Sequence, residues 1–149
     1  MKKIIFLIKI SIFYLLTLSY VWADQSTYFK EGKNLFSNKN YDQSKILFER
    51  DLVFNPKNSK SYLYLAKIFN EANNDEEQEI NLNNVLLLNP QEEEAIYMLT
   101  TLKIKKSDYK ESKKLLAQFT SVCKLLCSKK EEIESSLKTI TPKNVKKQN

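Results

Sequence analysis

The sequence predicts an all-α fold, about three stacked helix hairpins closed by a C-terminal capping helix. Three observations predict it. Asn55-Pro56 and Asn89-Pro90 each close an apolar run, Leu52-Val53-Phe54 and Leu86-Leu87-Leu88, and the two prolines lie 34 residues apart, the period of a helix–turn–helix repeat. Other landmarks keep the same interval: Tyr28, Tyr62 and Ile96; Gly32, Ala66 and Thr100; Phe48, Leu82 and Leu116. Tyr41 and Tyr109 stand two intervals apart, as do Ser44-Lys45 and Ser112-Lys113. Finally, a single Gly and three Pro in 149 residues argue against a turn-rich β fold and for helices on short links.

The length allows one domain and a leader. Formal charge is +6, and loss of a leader carrying Lys2, Lys3 and Lys9 halves it, which makes no case for a nucleic-acid partner. His is absent, so the side chain most used for acid–base work and metal ligation is missing. One Gly cannot build a phosphate-cradling loop. The residues therefore point away from an enzyme, and no cofactor is expected.

Met1-Lys2-Lys3 followed by the apolar run from Ile4 to Tyr20 and by Val21-Trp22-Ala23 has the three parts of a secretory signal peptide, residues 1–23, with cutting expected after Ala23. The alternative is an inner-membrane anchor formed by residues 4–22, just long enough to span, although Lys9 within it opposes insertion. No Cys follows the leader, so no lipid modification is expected there. Both readings put the remaining chain outside the cytoplasm, secreted or periplasmic.

Residues 24–140 form the expected repeat domain, with units at about 25–58, 59–92 and 93–122. The first A helix, 25–38, carries Tyr28, Phe29, Gly32, Leu35 and Phe36 at helical spacing. Gly32 sits mid-helix, where it costs about 1 kcal/mol against Ala, so a partner helix should pass close by; Ala66 serves the same purpose and Thr100 fits more loosely. Asn40 with Gln43 reads as a capping pair. The first B helix, 41–54, should turn Ile46, Leu47, Phe48 and Leu52 inward and stop before Pro56.

The second A helix, 59–72, carries Tyr62, Leu63, Leu65, Ala66 and Phe69, and Asn73-Asn74 turns the chain, with Asn74 and Glu77 as caps. The second B helix, 76–88, presents Ile80, Leu82, Val85 and Leu86. In the third unit, 92–104 carries Ile96, Tyr97, Leu99, Leu102 and Ile104, and 108–121 carries Tyr109, Leu115, Leu116 and Phe119. Ser128 and Glu131 read as a capping box opening a last helix, 128–140, whose narrow stripe of Ile133, Leu137 and Ile140 suits the polar cap of a repeat stack. Residues 141–149 read as a disordered basic tail.

These anchors resemble the tetratricopeptide repeat. Unit one keeps Tyr28, Gly32, Phe48 and Pro56, with Leu35 for the pattern's tyrosine and Ser44 for an alanine. Unit two keeps Tyr62, Leu65, Ala66 and Pro90, with Phe69, Gln78 and Leu82 at degenerate positions. Unit three keeps Leu99 and Leu116, while Lys103 replaces the tyrosine and the closing proline is missing. With its leader and cap the chain is similar to small exported bacterial proteins of this family. The resemblance implies a right-handed superhelical stack, a concave groove that binds a peptide or partner domain, and no reaction.

By the family's register the groove residues are Phe29, Lys33, Phe36, Lys60, Leu63, Lys67, Asn70, Glu94, Tyr97, Thr101 and Ile104. Lys33 and Lys67 share a register one repeat apart, so their ammonium groups are expected to stack beside Phe29, Leu63 and Tyr97, a setting for a carboxylate on an apolar segment. The lysine-and-asparagine carboxylate clamp of chaperone-binding repeats is not reproduced, because Phe29 takes one of its basic positions. Charge is banded: 71–94 holds acidic residues and no Lys or Arg, and 95–149 is strongly basic. Helix starts account for the acidic band, and the dipole leaves self-association open.

Cys123 and Cys127, four apart in a chain outside the cytoplasm, are expected to form a disulfide that staples the cap. The expected function is a non-catalytic interaction scaffold or adaptor in the bacterial envelope, whose partner is another protein or a peptide, with the membrane reached only through an uncleaved leader. Two alternatives stand: a thiol-disulfide or Cu(I) carrier using Cys123 and Cys127, and a structural subunit of an envelope complex.

Overall fold

The computed structural model describes residues 26–140; the leader and the basic tail lie outside them. Seven α-helices follow in order: α1 Thr27–Ser37, α2 Tyr41–Phe54, α3 Ser59–Glu71, α4 Asp75–Leu88, α5 Glu93–Lys105, α6 Tyr109–Val122 and α7 Lys130–Ile140, the last preceded by a short 3₁₀ turn at Cys127–Lys129. The described residues contain no strand. Pairs α1/α2, α3/α4 and α5/α6 are the hairpins; α2 meets α3, α4 meets α5, and α7 lies against α6 and α5. The result is an all-α superhelical stack of three helix hairpins with a capping helix.

The turns inside the hairpins repeat one backbone pattern. Lys39, Asn73 and Ser107, each separated by one period, all adopt positive φ (59°, 54° and 57°). In each turn the next amide reaches back five residues: Asn40 to Leu35 O, Asn74 to Phe69 O and Asp108 to Lys103 O, all at 2.9 Å. This is the six-to-one bond of a Schellman close. The third turn follows the same plan although its sequence departs furthest from the pattern. Asn74 and Asp108 then cap α4 and α6 by accepting from the amides of Glu77 and Glu111. Asn40, expected to do likewise, makes no side-chain cap bond.

The core changes character along the stack. At the N-terminal end it is aromatic: Phe29, Phe48, Leu65 and Ile68 are buried with Phe36, Tyr41, Tyr64 and Phe69 against them. Further along it is mainly aliphatic, with Leu82, Val85, Ile96, Leu99 and Leu115 around Phe119 and Ile133 of the capping helix closing it. A Cβ on Gly32 would stand 2.9 Å from Cε1 of Phe48. The close partner helix expected from the glycine is therefore α2, through one ring. One and two periods on, the equivalent positions hold Ala66 and Leu82, then Thr100 and Leu116.

Two inward assignments fail. Ile46 and Ile80 are 48% and 47% exposed, because the α2 and α4 stripes that meet the A helices run through Phe48 and Leu82. The Ser128 capping box also gives way: Ser128 lies inside the 3₁₀ turn and α7 begins at Lys130.

A buried carboxylate joins the first two hairpins. Asp51, fully buried near the end of α2, accepts from Ser26 Oγ, Ser61 Oγ, Asn55 Nδ2 and Asn58 Nδ2. Burial pushes its pKa up, and the four donors together outweigh that, leaving it below the ordinary value. One period later the same positions hold Val85 and Ala95, both fully buried. The two junctions thus use a satisfied polar node and a plain apolar contact for the same task.

Candidate partner-binding face

The A helices α1, α3 and α5 carry every groove position expected from the sequence, and the structure sorts them into three groups. Phe29 and Leu63 are core residues, 1% and 7% exposed. Phe29 packs on the Phe48 and Tyr64 rings, with centroids 5.7 and 5.8 Å away. The expectation that Phe29 and Leu63 face a ligand is corrected by this packing: an apolar side chain at that register folds into the hairpin. Phe36 is half-buried between Tyr41 and Tyr64.

Lys67 does not stack with Lys33. Its Nζ reaches across from α3 to Glu94 on α5 at 2.8 Å and lies 5.0 Å from the Tyr64 ring centre. Burial, and then the charge of Glu94, push the Tyr64 phenol above its usual pKa. Tyr64 carries no family signature and was not expected at this face. Its ring is stacked on Phe48 at 4.9 Å, so it ties the face to the aromatic core. Lys33 and Lys60, in contrast, are exposed. Asn70 and Thr101 come together, lining with Gln78, Leu102 and Lys105 a recess of about 190 Å³. Ile104 is half-buried beside the aliphatic core.

The third group is held by the cap. Tyr97 donates from its hydroxyl to Glu132 of α7 at 2.8 Å. Lys129 binds the other carboxylate oxygen of Glu132 at 2.8 Å and sits 5.7 Å from the Tyr97 ring centre. Burial first, and then the bond to Glu132, raise the Tyr97 pKa; the Lys129 and Tyr97 bonds lower that of Glu132. The C-terminal end of the face is closed by the chain's own helix.

The segment leading into that helix is gripped by α5. Glu93, in the first turn of α5, accepts the amides of Lys124, Leu125 and Leu126 at 2.7 to 3.2 Å. The Lys124 amide is the foremost cause of its lowered pKa. This nest has no sequence signature beyond an acidic helix start, which the dipole alone explains. Cys123, the residue just after α6, and Cys127 have their sulfurs 2.17 Å apart and their Cα atoms 5.2 Å apart. On the other side of α5, Glu79 of α4 takes Lys103 and Lys106 together. Among the described residues no group of three His, Cys, Asp or Glu side chains could hold a metal ion.

No family model and no curated protein matches the sequence. Solved structures do match. The first tetratricopeptide domain of Spaghetti (RPAP3), bound to an HSP90 peptide, aligns at TM-score 0.71 and 14% identity over 82% of this chain and 99% of that one. The Yersinia enterocolitica type III secretion chaperone SycD, in complex with a peptide of the translocator YopD, aligns at 0.66 and 14%, covering 76% and 88%. The second such domain of human RPAP3, in complex with an HSP70 peptide, aligns at 0.63 and 17%, covering 78% and 94%. The chain therefore has the tetratricopeptide-repeat fold.

Proposed function

We propose that this tetratricopeptide-repeat fold is an exported, non-catalytic adaptor that holds a peptide or partner domain along the face of α1 and α3. The observation that carries the reading is the division of the face. Its C-terminal third is occupied by Glu132 and Lys129 of the capping helix, while Lys33 and Lys60 stand open at the other end. A ligand meets the half-buried Phe36 and Tyr64, the Lys67–Glu94 pair and the Asn70–Thr101 recess between these two ends. Two exposed cations on a partly aromatic floor favour a segment with a carboxylate near one terminus. The peptide-bound state of the RPAP3 and SycD domains supports a peptide or protein as the kind of partner.

Export rests on the signal-peptide pattern of residues 1–23 and is consistent with sulfurs at bonding distance in Cys123 and Cys127. In this reading the pair staples the entry to α7, and the structural-subunit alternative uses the same envelope location. The test is partner capture with Lys33→Glu/Lys60→Glu, both at exposed sites that leave the core intact. Recovery of the wild-type partner should fall about tenfold or more; undiminished recovery would remove the face from the account.

A further inference from the structure

The second hairpin departs from the other two at one small residue. Ser44 and Ser112 are fully buried, and Gln78 holds the same position between them, one period from each. Ser44 Oγ donates to Gly32 O at 2.8 Å and Ser112 Oγ to Asp108 O at 2.6 Å, so backbone close by satisfies each short hydroxyl. Gln78 carries a longer amide and is 3% exposed, yet its side chain has no hydrogen-bond partner among the described residues. Among those residues no side-chain nitrogen or oxygen sealed from solvent lacks a partner. Both polar atoms of the Gln78 amide therefore open outward, at the recess that Gln78 lines with Asn70, Thr101, Leu102 and Lys105.

This recess lies where α3, α4 and α5 meet. One period earlier Phe36 and Lys67 stand in place of Asn70 and Thr101, and the Phe36 ring packs on Tyr41 and Tyr64 with centroids 5.4 and 5.1 Å away. Its volume of about 190 Å³ is below the roughly 300–1,000 Å³ of sites that enclose a whole small molecule. It suits a single side chain. Lys105, the one charged residue lining it, is bound to Asp75 Oδ1 at 2.6 Å. Thr101 Oγ1 commits its hydrogen to Met98 O at 2.8 Å, which leaves its oxygen to accept. Asn70 and Gln78 each offer an NH₂ donor group and a carbonyl acceptor. A carboxylate could only accept here, beside carbonyl and hydroxyl oxygens and a cation that is already matched. A carboxamide donates and accepts, and fits the whole set.

We infer that the recess is a subsite for the carboxamide of an asparagine or glutamine side chain in the partner segment, with Gln78 as the residue that sets this preference. The inference rests on the partner face proposed above. It gives that face a specificity for a neutral group, which Lys33 and Lys60 do not supply.

The test pans the full chain, as wild type, Gln78→Ser and Asn70→Ala, against a random-peptide phage library. Serine is what the first and third hairpins hold, so Gln78→Ser should keep the wild-type circular dichroism; Asn70→Ala changes an exposed site. Wild type should enrich Asn or Gln at one fixed peptide position about tenfold over the library, the scale of one or two hydrogen bonds. In both variants that enrichment should fall to the library level while selection for acidic residues persists. Asn and Gln at library frequency among wild-type peptides, or enrichment undiminished in either variant, would overturn the inference and leave the partner face standing. Selection of no peptide by wild type would remove both.

Discussion

At Gly32 the fold depends on a missing atom. A Cβ there would come within 2.9 Å of the Phe48 ring, which is itself fully buried against Phe29 and Tyr64. Gly32→Ala gains helix propensity of about 1 kcal/mol and loses more to overpacking, so a net destabilisation of about 1–2 kcal/mol is expected from urea unfolding. Phe48→Leu, the pairing already present at Ala66 and Leu82, should cancel much of that clash in a double-mutant cycle. Asp51 behaves in the opposite sense, by what it gathers. Asp51→Val leaves four donors without their acceptor and should cost about 2–3 kcal/mol. Adding Ser61→Ala reproduces the Val85/Ala95 junction and should return about 1 kcal/mol. The pH dependence follows from the lowered pKa. The bonds contribute fully above the ordinary value near 3.8, and the contribution is lost as pH falls through the lower folded value. Acid titration of the double variant should lack that portion of the slope.

Among the elements, the capping helix is tied to the stack by few apolar anchors. Ile133 and Leu137 are its buried residues, and the rest of its attachment is polar: Glu93 on the Lys124–Leu126 amides and Tyr97 on Glu132. Glu93→Ala should therefore raise hydrogen exchange at those three amides about tenfold or more, and speed exchange in α7, while α1 to α4 are unaffected. Unchanged exchange would show that the sulfur pairing and Ile133 hold the cap alone. The helices themselves were legible in the sequence because each apolar face recurs at one period and Pro56 and Pro90 punctuate it. The turns at Lys39 and Ser107 were not, since their positive φ is met by Lys and Ser rather than by Gly or Asn. Asp108 as a cap was missed for a similar reason, standing in a unit whose signature residues had drifted.

For the whole molecule, a fixed interval brings equivalent residues into equivalent places, so the stack could be read from one dimension. The partner face could be read less well. Family register placed the expected positions on the A helices but did not give their state: Phe29 and Leu63 turned into the core, Lys67 was taken by Glu94, and Tyr97 was taken by the capping helix. Tyr64, the ring that links the face to the core, lies one residue away from the expected register and carries no motif. What remains open at the face is its N-terminal part, from Lys33 and Lys60 to the Asn70–Thr101 recess. The most direct measurement places a photo-crosslinking residue at Lys33, Lys60 or Ile80 in the full chain within its native cells. The account predicts partner adducts from Lys33 and Lys60 and none from Ile80 on the B-helix side. Adducts from Ile80 alone would contradict it.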